Sequence, residues 1–171
     1  MTVDASRLRA ERAGVHDADD VARLLAAAGA RLATDGFRNW DPPYPIERVR
    51  RDAAEREVWL VREDDAPVAT YTLATAPARP YDPPPWPDPA LPAVYLNRLA
   101  VDPARQGAGL GAWCLSAIDE RAAALGARAV RCDVLCENGA LRRFYERRGY
   151  VAHGQRAHSG WTFTCYERRL R

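Results

Sequence analysis

Apolar residues recur at helical spacing at Val21, Leu24, Leu25, Ala28 and Leu32, which predicts an amphipathic helix that ends near Gly36, with Asp17 or Asp19 available to cap its start. "RLRAERAG" ahead of it reads as a first strand, and a short charged helix is predicted around Ile46–Arg56. "EVWLV" and "PVATYTLAT" flank the turn "REDDA", the pattern of an antiparallel hairpin with alternating burial. Further along, "AVYLNRLAV" reads as a buried strand. It leads through a glycine stretch into a helix that aligns Leu110, Trp113, Ala117, Ile118 and Leu125, closed by Gly126. "ARAVRCDVLCEN" predicts a strand with Val130, Cys132, Val134 and Cys136 on one side. "GALRRFYERRG" predicts a short helix presenting Leu141, Phe144, Tyr145 and Arg148 and closed by Gly149, and "GWTFTCYERRL" a final strand.

This order predicts an α/β fold with a mixed, mostly antiparallel central sheet, a parallel strand pair within it and about four helices. The chain has 171 residues, enough for one domain with a real core, and residues 1–171 are read as a single domain. Residues 77–92, "PARPYDPPPWPDPALP", hold eight prolines and cannot pair inside a sheet. They predict a Pro-rich surface loop inserted between strands, because the hairpin before it could not fold alone.

Composition narrows the function. The formal net charge is +2, from 25 basic and 23 acidic residues, so no global field gathers nucleic acid or an anionic membrane. Every one of those basic residues is Arg, which excludes a phosphate loop of the type that needs a Lys after its last Gly. The first residues carry no apolar leader and no window approaches the ~20 apolar residues that span a bilayer, which predicts a cytoplasmic protein without membrane attachment. A homodimer is left open. Cys114, Cys132, Cys136 and Cys165 form no CxxC pair and sit in apolar periodic segments, so they read as small buried hydrophobes, and no metal is expected.

The stretch "VDPARQGAGLGAW" has no charged residue between Arg105 and Asp119, and it places Gly107, Gly109 and Gly111 at a strand-to-helix junction. Without a Cβ the backbone can approach a phosphate closely, and the first N–H groups of the helix point at it along the positive end of the helix dipole. A tight turn alone would also use such glycines. A dinucleotide fold is the other alternative, since Gly107, Gly109 and Ala112 fit GxGxxA with Asp133 downstream, but it needs several further parallel strands.

"LAVDPARQGAGLGAWCLSAID" resembles the acetyl-CoA-binding signature of the GCN5-related N-acetyltransferases, met here by Gln106, Gly109 and Gly111. "VLCENGALRRFYERRGYVAHG" resembles the second signature of that family through Asn138, Tyr145, Gly149 and Tyr150. The resemblance implies that acetyl-CoA binds where the fourth and fifth strands splay, here Val94–Val101 and Ala129–Glu137. Backbone of Leu99, Ala100 and Val101 would hold the thioester and the pantetheine arm, with the Leu99 N–H as an oxyanion donor. Gln106, Gly107, Ala108, Gly109, Leu110 and Gly111 would cradle the pyrophosphate, and Arg142 or Arg143 would reach the 3′-phosphate. Asn138 would bond the pantetheine side and Tyr145 would stand near the sulfur.

The implied reaction is direct attack of a primary amine, from a small molecule or a peptide N-terminus, on the acetyl carbonyl. An alkylammonium of pKa ~10.4 must first lose a proton, and the departing thiolate gains one, for which Tyr145 is the natural acid. The base is open among Glu57, His153 and a water relay, because the cleft-facing residues of the fourth strand are Tyr95 and Asn97. Trp40, Tyr44, Tyr81 and Trp86, with Asp41, Asp82 and Asp88, are candidates for an aromatic and acidic acceptor site that suits a cationic amine, and Tyr95 and Asn97 for further contacts to the acceptor. The missing carboxylate keeps an alternative alive, a non-catalytic acyl-CoA-binding or sensing module.

Overall fold

In the computed structural model, which describes residues 3–78 and 81–171, the alternating stretches form strands and the helically spaced ones form helices. Chain order is β1 (Leu8–Arg12), α1 (Ala18–Thr34), α2 (Ile46–Glu55), β2 (Glu57–Glu63), β3 (Ala66–Ala74) and β4 (Ala93–Val101). Then follow α3 (Leu110–Ala124), β5 (Ala129–Leu135), α4 (Gly139–Glu146), β6 (Val151–His158) and β7 (Trp161–Arg169). The strands make one seven-stranded sheet in the order β1-β2-β3-β4-β5-β7-β6. A parallel pair runs Ala93–Tyr95 against Ala129–Arg131, while β1/β2, β2/β3, β5/β7 and β6/β7 are antiparallel. The expected mixed, mostly antiparallel sheet with four α-helices is what forms.

The chain divides into two compact units, which share β4 and α3 along the backbone. The first comprises residues up to Leu73 with Arg98–Ala117. Its core sits between β2 and the two N-terminal helices. Val21, Leu24, Leu25 and Ala28 of α1 and Val49 of α2 meet Val58 and Leu60 of β2, with Ala100 of β4. Leu24 and Leu60 are wholly buried, and each such side chain contributes roughly 1.5–3 kcal/mol of transfer free energy. Asp17 stands at the start of α1, but its carboxylate accepts from the Gly14 backbone at 2.9 Å and from Arg62 at 3.1 Å, bracing the turn before the helix. Gly36, at φ +90°, ends the α1 segment.

The second unit comprises Ala74–Asn97 with Ile118–Arg171. Here β5 is buried along nearly its whole length on both faces, so Val130, Cys132 and Val134 are core but so are Arg131 and Leu135, and Cys136 lies just beyond the strand. Two expectations are corrected and one element is added. The buried face of α3 is Leu110, Cys114, Leu115, Ile118 and Ala122, whereas Trp113 is half-buried and Leu125 exposed, because the helix turns its small and branched residues inward. Leu141 of α4 is exposed while Tyr145 is buried. The strand β6 has no counterpart in the sequence pattern, since an edge strand exposed at most of its positions carries no alternating code.

The Pro-rich insertion is a loop without helix or strand in its described part; residues 79 and 80 lie outside the described residues.

Candidate active site

The loop that opens α3 belongs to the first unit. After β4, Asp102 accepts the Ala104 N–H at 3.0 Å and sets a short helical turn, Pro103–Arg105. Gly107 and Gly109 then take φ +80° and +94°. Those values reverse the backbone at no cost only where no Cβ is present. Among the described residues, a Cβ built on Gly107 would meet open space and one on Gly109 would touch only a Val3 methyl at 3.8 Å. Among the described residues the loop thus presents a bare backbone surface immediately before Leu110, the first residue of α3, where the N–H groups of the first turn have no intrahelical acceptor. Gln106 is exposed, and its Nε2 donates to the Val101 carbonyl at 3.5 Å, tying the loop to the end of β4. The Val3 N–H donates to the Ala108 carbonyl at 2.9 Å and steadies the loop from its other side. Leu99 and Val101 are half-buried and Ala100 is buried.

Also in the first unit, Trp40 meets Tyr44 edge to face at 6.0 Å. The charges around them differ from the acidic site that composition suggested. Asp41 accepts from Arg38 at 2.5 Å, and the Tyr44 ring carries the guanidinium of Arg48 at 5.1 Å and that of Arg98 at 4.5 Å. Glu57 accepts from Trp59 Nε1 at 3.3 Å.

The second unit holds the C-terminal candidates. Asn138 is buried, and its Oδ1 accepts the Leu141 N–H at 2.9 Å, so it is the N-cap of α4 and keeps its amide donors for another partner. That cap fixes the rotation of α4, which buries Tyr145 against Tyr150 (5.1 Å, edge to face) and Tyr166 (6.3 Å, stacked). The Tyr166 hydroxyl donates to Glu146 at 2.7 Å and accepts from Arg142 Nε at 3.2 Å. Burial pushes the Tyr166 phenol above its ordinary range, with Arg142 opposing. Arg142 is thus engaged with Tyr166 and, at 3.4 Å, with the Cys136 carbonyl, while Arg143 is exposed.

Trp86, Tyr95 and Asn97 lie in the same unit. Trp86 is buried, packed edge to face on Tyr81 at 5.5 Å and on His153 at 6.3 Å, with the Arg131 guanidinium 5.0 Å from its ring. The Tyr95 hydroxyl accepts from Arg131 at 3.1 Å, and Asn97 Nδ2 donates to the Tyr95 carbonyl at 3.1 Å. Asp82 and Asp88 are exposed. Among the described residues no cluster of His, Cys, Asp and Glu is arranged to hold a metal ion, and no helix is long and apolar enough to cross a membrane.

Two arrangements were not foreseen. Asp52, in a helix whose sequence looks merely charged, is buried and ion-paired with Arg98. Its spacing from Val49 and Ala53, at i+3 and i+4 of one helical face, was the available signal. Arg131 is buried on β5 with Glu167 on β7, and nothing in the sequence marks it, because that strand has two buried faces.

Residues 27–150 match the model of the Acetyltransferase (GNAT) family. An uncharacterized N-acetyltransferase, YesJ, from Bacillus subtilis (strain 168) is 28% identical over 142 residues, 81% of this chain and 78% of that protein. Among solved structures, an acetyltransferase of the GNAT family from Streptococcus agalactiae 2603 superposes with a TM-score of 0.85 at 19% identity, covering 96% of each chain. The protein yncA from Salmonella typhimurium, solved with its cofactor acetyl-CoA, superposes with a TM-score of 0.68 at 18% identity, covering 96% of this chain and 95% of that one.

Proposed function

The chain belongs to the GNAT family of acetyltransferases, and from that premise we propose that it transfers the acetyl group of acetyl-CoA to a primary amine, on a small molecule or a peptide N-terminus. One observation carries the reading, the loop opening α3. Gly107 and Gly109 in the left-handed region leave a surface of bare backbone at a helix start, with, among the described residues, only the Val3 side chain near the positions a Cβ would fill. A diphosphate suits that surface, since it needs close-approaching N–H donors and the positive end of a helix rather than a cationic side chain. The acetyl-CoA held by yncA supports the choice of co-substrate.

Residue roles follow from the chemistry. The backbone of Gln106, Gly107, Ala108, Gly109, Leu110 and Gly111 binds the pyrophosphate. Backbone groups of Leu99, Ala100 and Val101 bind the thioester and the pantetheine arm, and the Leu99 N–H stabilises the oxyanion that forms when the amine adds to the carbonyl. Asn138 uses its free amide donors on the pantetheine, its Oδ1 being committed to the helix cap. The ammonium gives up a proton to water, the amine nitrogen bonds the carbonyl carbon, and the adduct passes its second N–H proton to water as the C–S bond breaks; Tyr145 gives its phenolic proton to the departing sulfur and regains one from solvent. A cytoplasmic location is consistent with the four free cysteines.

The test is incubation with acetyl-CoA and a panel of primary amines, following free thiol. Thiol release that depends on one class of amine, with the acetylated amine identified by mass, is the expected result. Tight acetyl-CoA binding without thiol release for any amine would make the protein a sensing module instead.

A further inference from the structure

Arg98 sits inside β4 with φ +52°, a left-handed conformation that a residue with a Cβ adopts only when its surroundings impose it. Within the first unit the restraint is visible. Arg98 Nη1 donates to Asp52 Oδ2, and its guanidinium lies 4.5 Å from the centre of the Tyr44 ring. The two charged side chains are 10% and 8% exposed. Asp52 projects from the inner face of α2 beside Val49 and Ala53, and its other oxygen faces Arg56 Nε at 3.5 Å.

A carboxylate in that place is costly to desolvate and is kept because cations match both of its oxygens. A hydrophobic residue would satisfy the same helix face, so packing does not account for it. What the pair does is fix one guanidinium, and through it one backbone residue. In a strand the peptide N–H groups alternate direction, and a single left-handed residue re-aims the groups that follow it. The residue that follows is Leu99.

We propose that Asp52 is a positioning residue for acetyl transfer. Acting through Arg98, it holds the left-handed kink of β4 and so sets the direction of the Leu99 N–H. The inference rests on the reading above, in which that N–H stabilises the oxyanion. Because the oxyanion exists only during reaction, the pair bears more on kcat than on acetyl-CoA binding, to which the backbone after the kink also contributes.

The experiment measures steady-state kinetics with acetyl-CoA and the amine of the panel that gives the fastest thiol release. The proteins are wild type, Asp52→Asn, Arg98→Ala, Arg98→Gly and the double variant Asp52→Asn with Arg98→Gly, each checked by circular dichroism. Asp52→Asn and Arg98→Ala should lower kcat by about tenfold or more, with a clearly smaller rise in the KM for acetyl-CoA. Arg98→Gly should retain more kcat than Arg98→Ala, since glycine adopts the kink without strain. In the Arg98→Gly background, Asp52→Asn should add nothing. An Asp52→Asn enzyme at the wild-type rate, or one whose loss persists undiminished in the Arg98→Gly background, overturns the proposal. If Asp52→Asn does not fold, the two Arg98 variants decide, and a glycine variant no faster than the alanine one overturns it. A wild type that binds acetyl-CoA yet releases no thiol with any amine overturns the transfer reading itself, a different failure from an active wild type with unaffected variants.

Discussion

Arg131 and Glu167 face each other on neighbouring strands, Nε to Oε2 at 2.8 Å, with side-chain exposures of 1% and 2%. The remaining nitrogens of Arg131 donate to the Asp88 carbonyl at 2.7 Å, the Pro89 carbonyl at 3.4 Å and the Tyr95 hydroxyl at 3.1 Å. Arg131 also lies 5.0 Å from the Trp86 ring and 5.8 Å from that of Tyr95. A proline-rich segment cannot anchor itself through a sheet ladder. Here one buried cation, Arg131, collects two of its carbonyls and the Trp86 ring, and Glu167 neutralises that cation.

Removing Glu167 therefore leaves a buried charge uncompensated. Glu167→Gln should lose about 3–5 kcal/mol of stability in urea denaturation. Arg131→Met keeps much of the volume but drops the carbonyls, so limited proteolysis should cut within 81–92 far faster than in wild type. Unchanged cleavage in the Arg131→Met protein would mean that the segment is held by its aromatic packing.

Gly109→Val tests the pyrophosphate surface. At φ +94° a branched side chain is strained, and its Cβ would stand on the face that the loop leaves open. Acetyl-CoA affinity measured by calorimetry should fall by roughly 100-fold or more, the loss expected when a bound anion is denied close backbone approach. The melting temperature should fall by only a few degrees, roughly the cost of the left-handed strain, because among the described residues the loop packs on nothing but Val3 at that point. Wild-type affinity in the folded variant would remove the loop from the cofactor site.

Much of this was legible beforehand, for reasons that particular residues make plain. Leu24 and Leu60 obey periodicities of helix and strand, and their burial follows. The glycine loop was legible because Gly107 and Gly109 occupy conformations that other residues avoid. Arg131, Glu167 and Asp52 were not, since a buried ion pair couples residues 36 positions apart, or 46 for Asp52 and Arg98, and each partner alone looks like an ordinary surface charge. The tilt of the charge balance around Tyr44 was hidden for the same reason. Composition places Asp41 next to Trp40, whereas the fold spends Asp41 on Arg38 and lays two guanidinium groups on the ring.

Asp119 gives a pH dependence of known sign. Its Oδ2 lies 2.7 Å from Arg168, but Oδ1 is buried without a hydrogen-bond partner, and burial raises its pKa above the ordinary carboxylate value despite the cation. A carboxyl group that holds its proton more tightly when folded contributes stability at low pH and loses it as pH rises from about 4 through the folded pKa. Asp119→Asn lacks that titration. Its stability relative to wild type should therefore improve from about pH 3 to about pH 6, measured by denaturant unfolding across the range. A difference that stays flat, or that moves the other way, would show that Arg168 outweighs burial.

Tyr145 carries the sharpest chemical prediction. Its ring is buried on α4 between Tyr150 and Tyr166, contacts that phenylalanine reproduces, so Tyr145→Phe isolates the hydroxyl. If that hydroxyl protonates the departing thiolate, kcat should drop by ~10²-fold, or roughly 3 kcal/mol of transition-state stabilisation, with residual turnover because a thiolate also leaves slowly unaided. Acetyl-CoA affinity should stay within a few-fold, since the ring and the Asn138 cap of its helix are untouched. Stopped-flow release of CoA thiol on the best acceptor separates the alternatives. A slow release step that sets kcat is the signature of a missing acid, whereas wild-type turnover would reduce Tyr145 to a packing residue of the aromatic cluster.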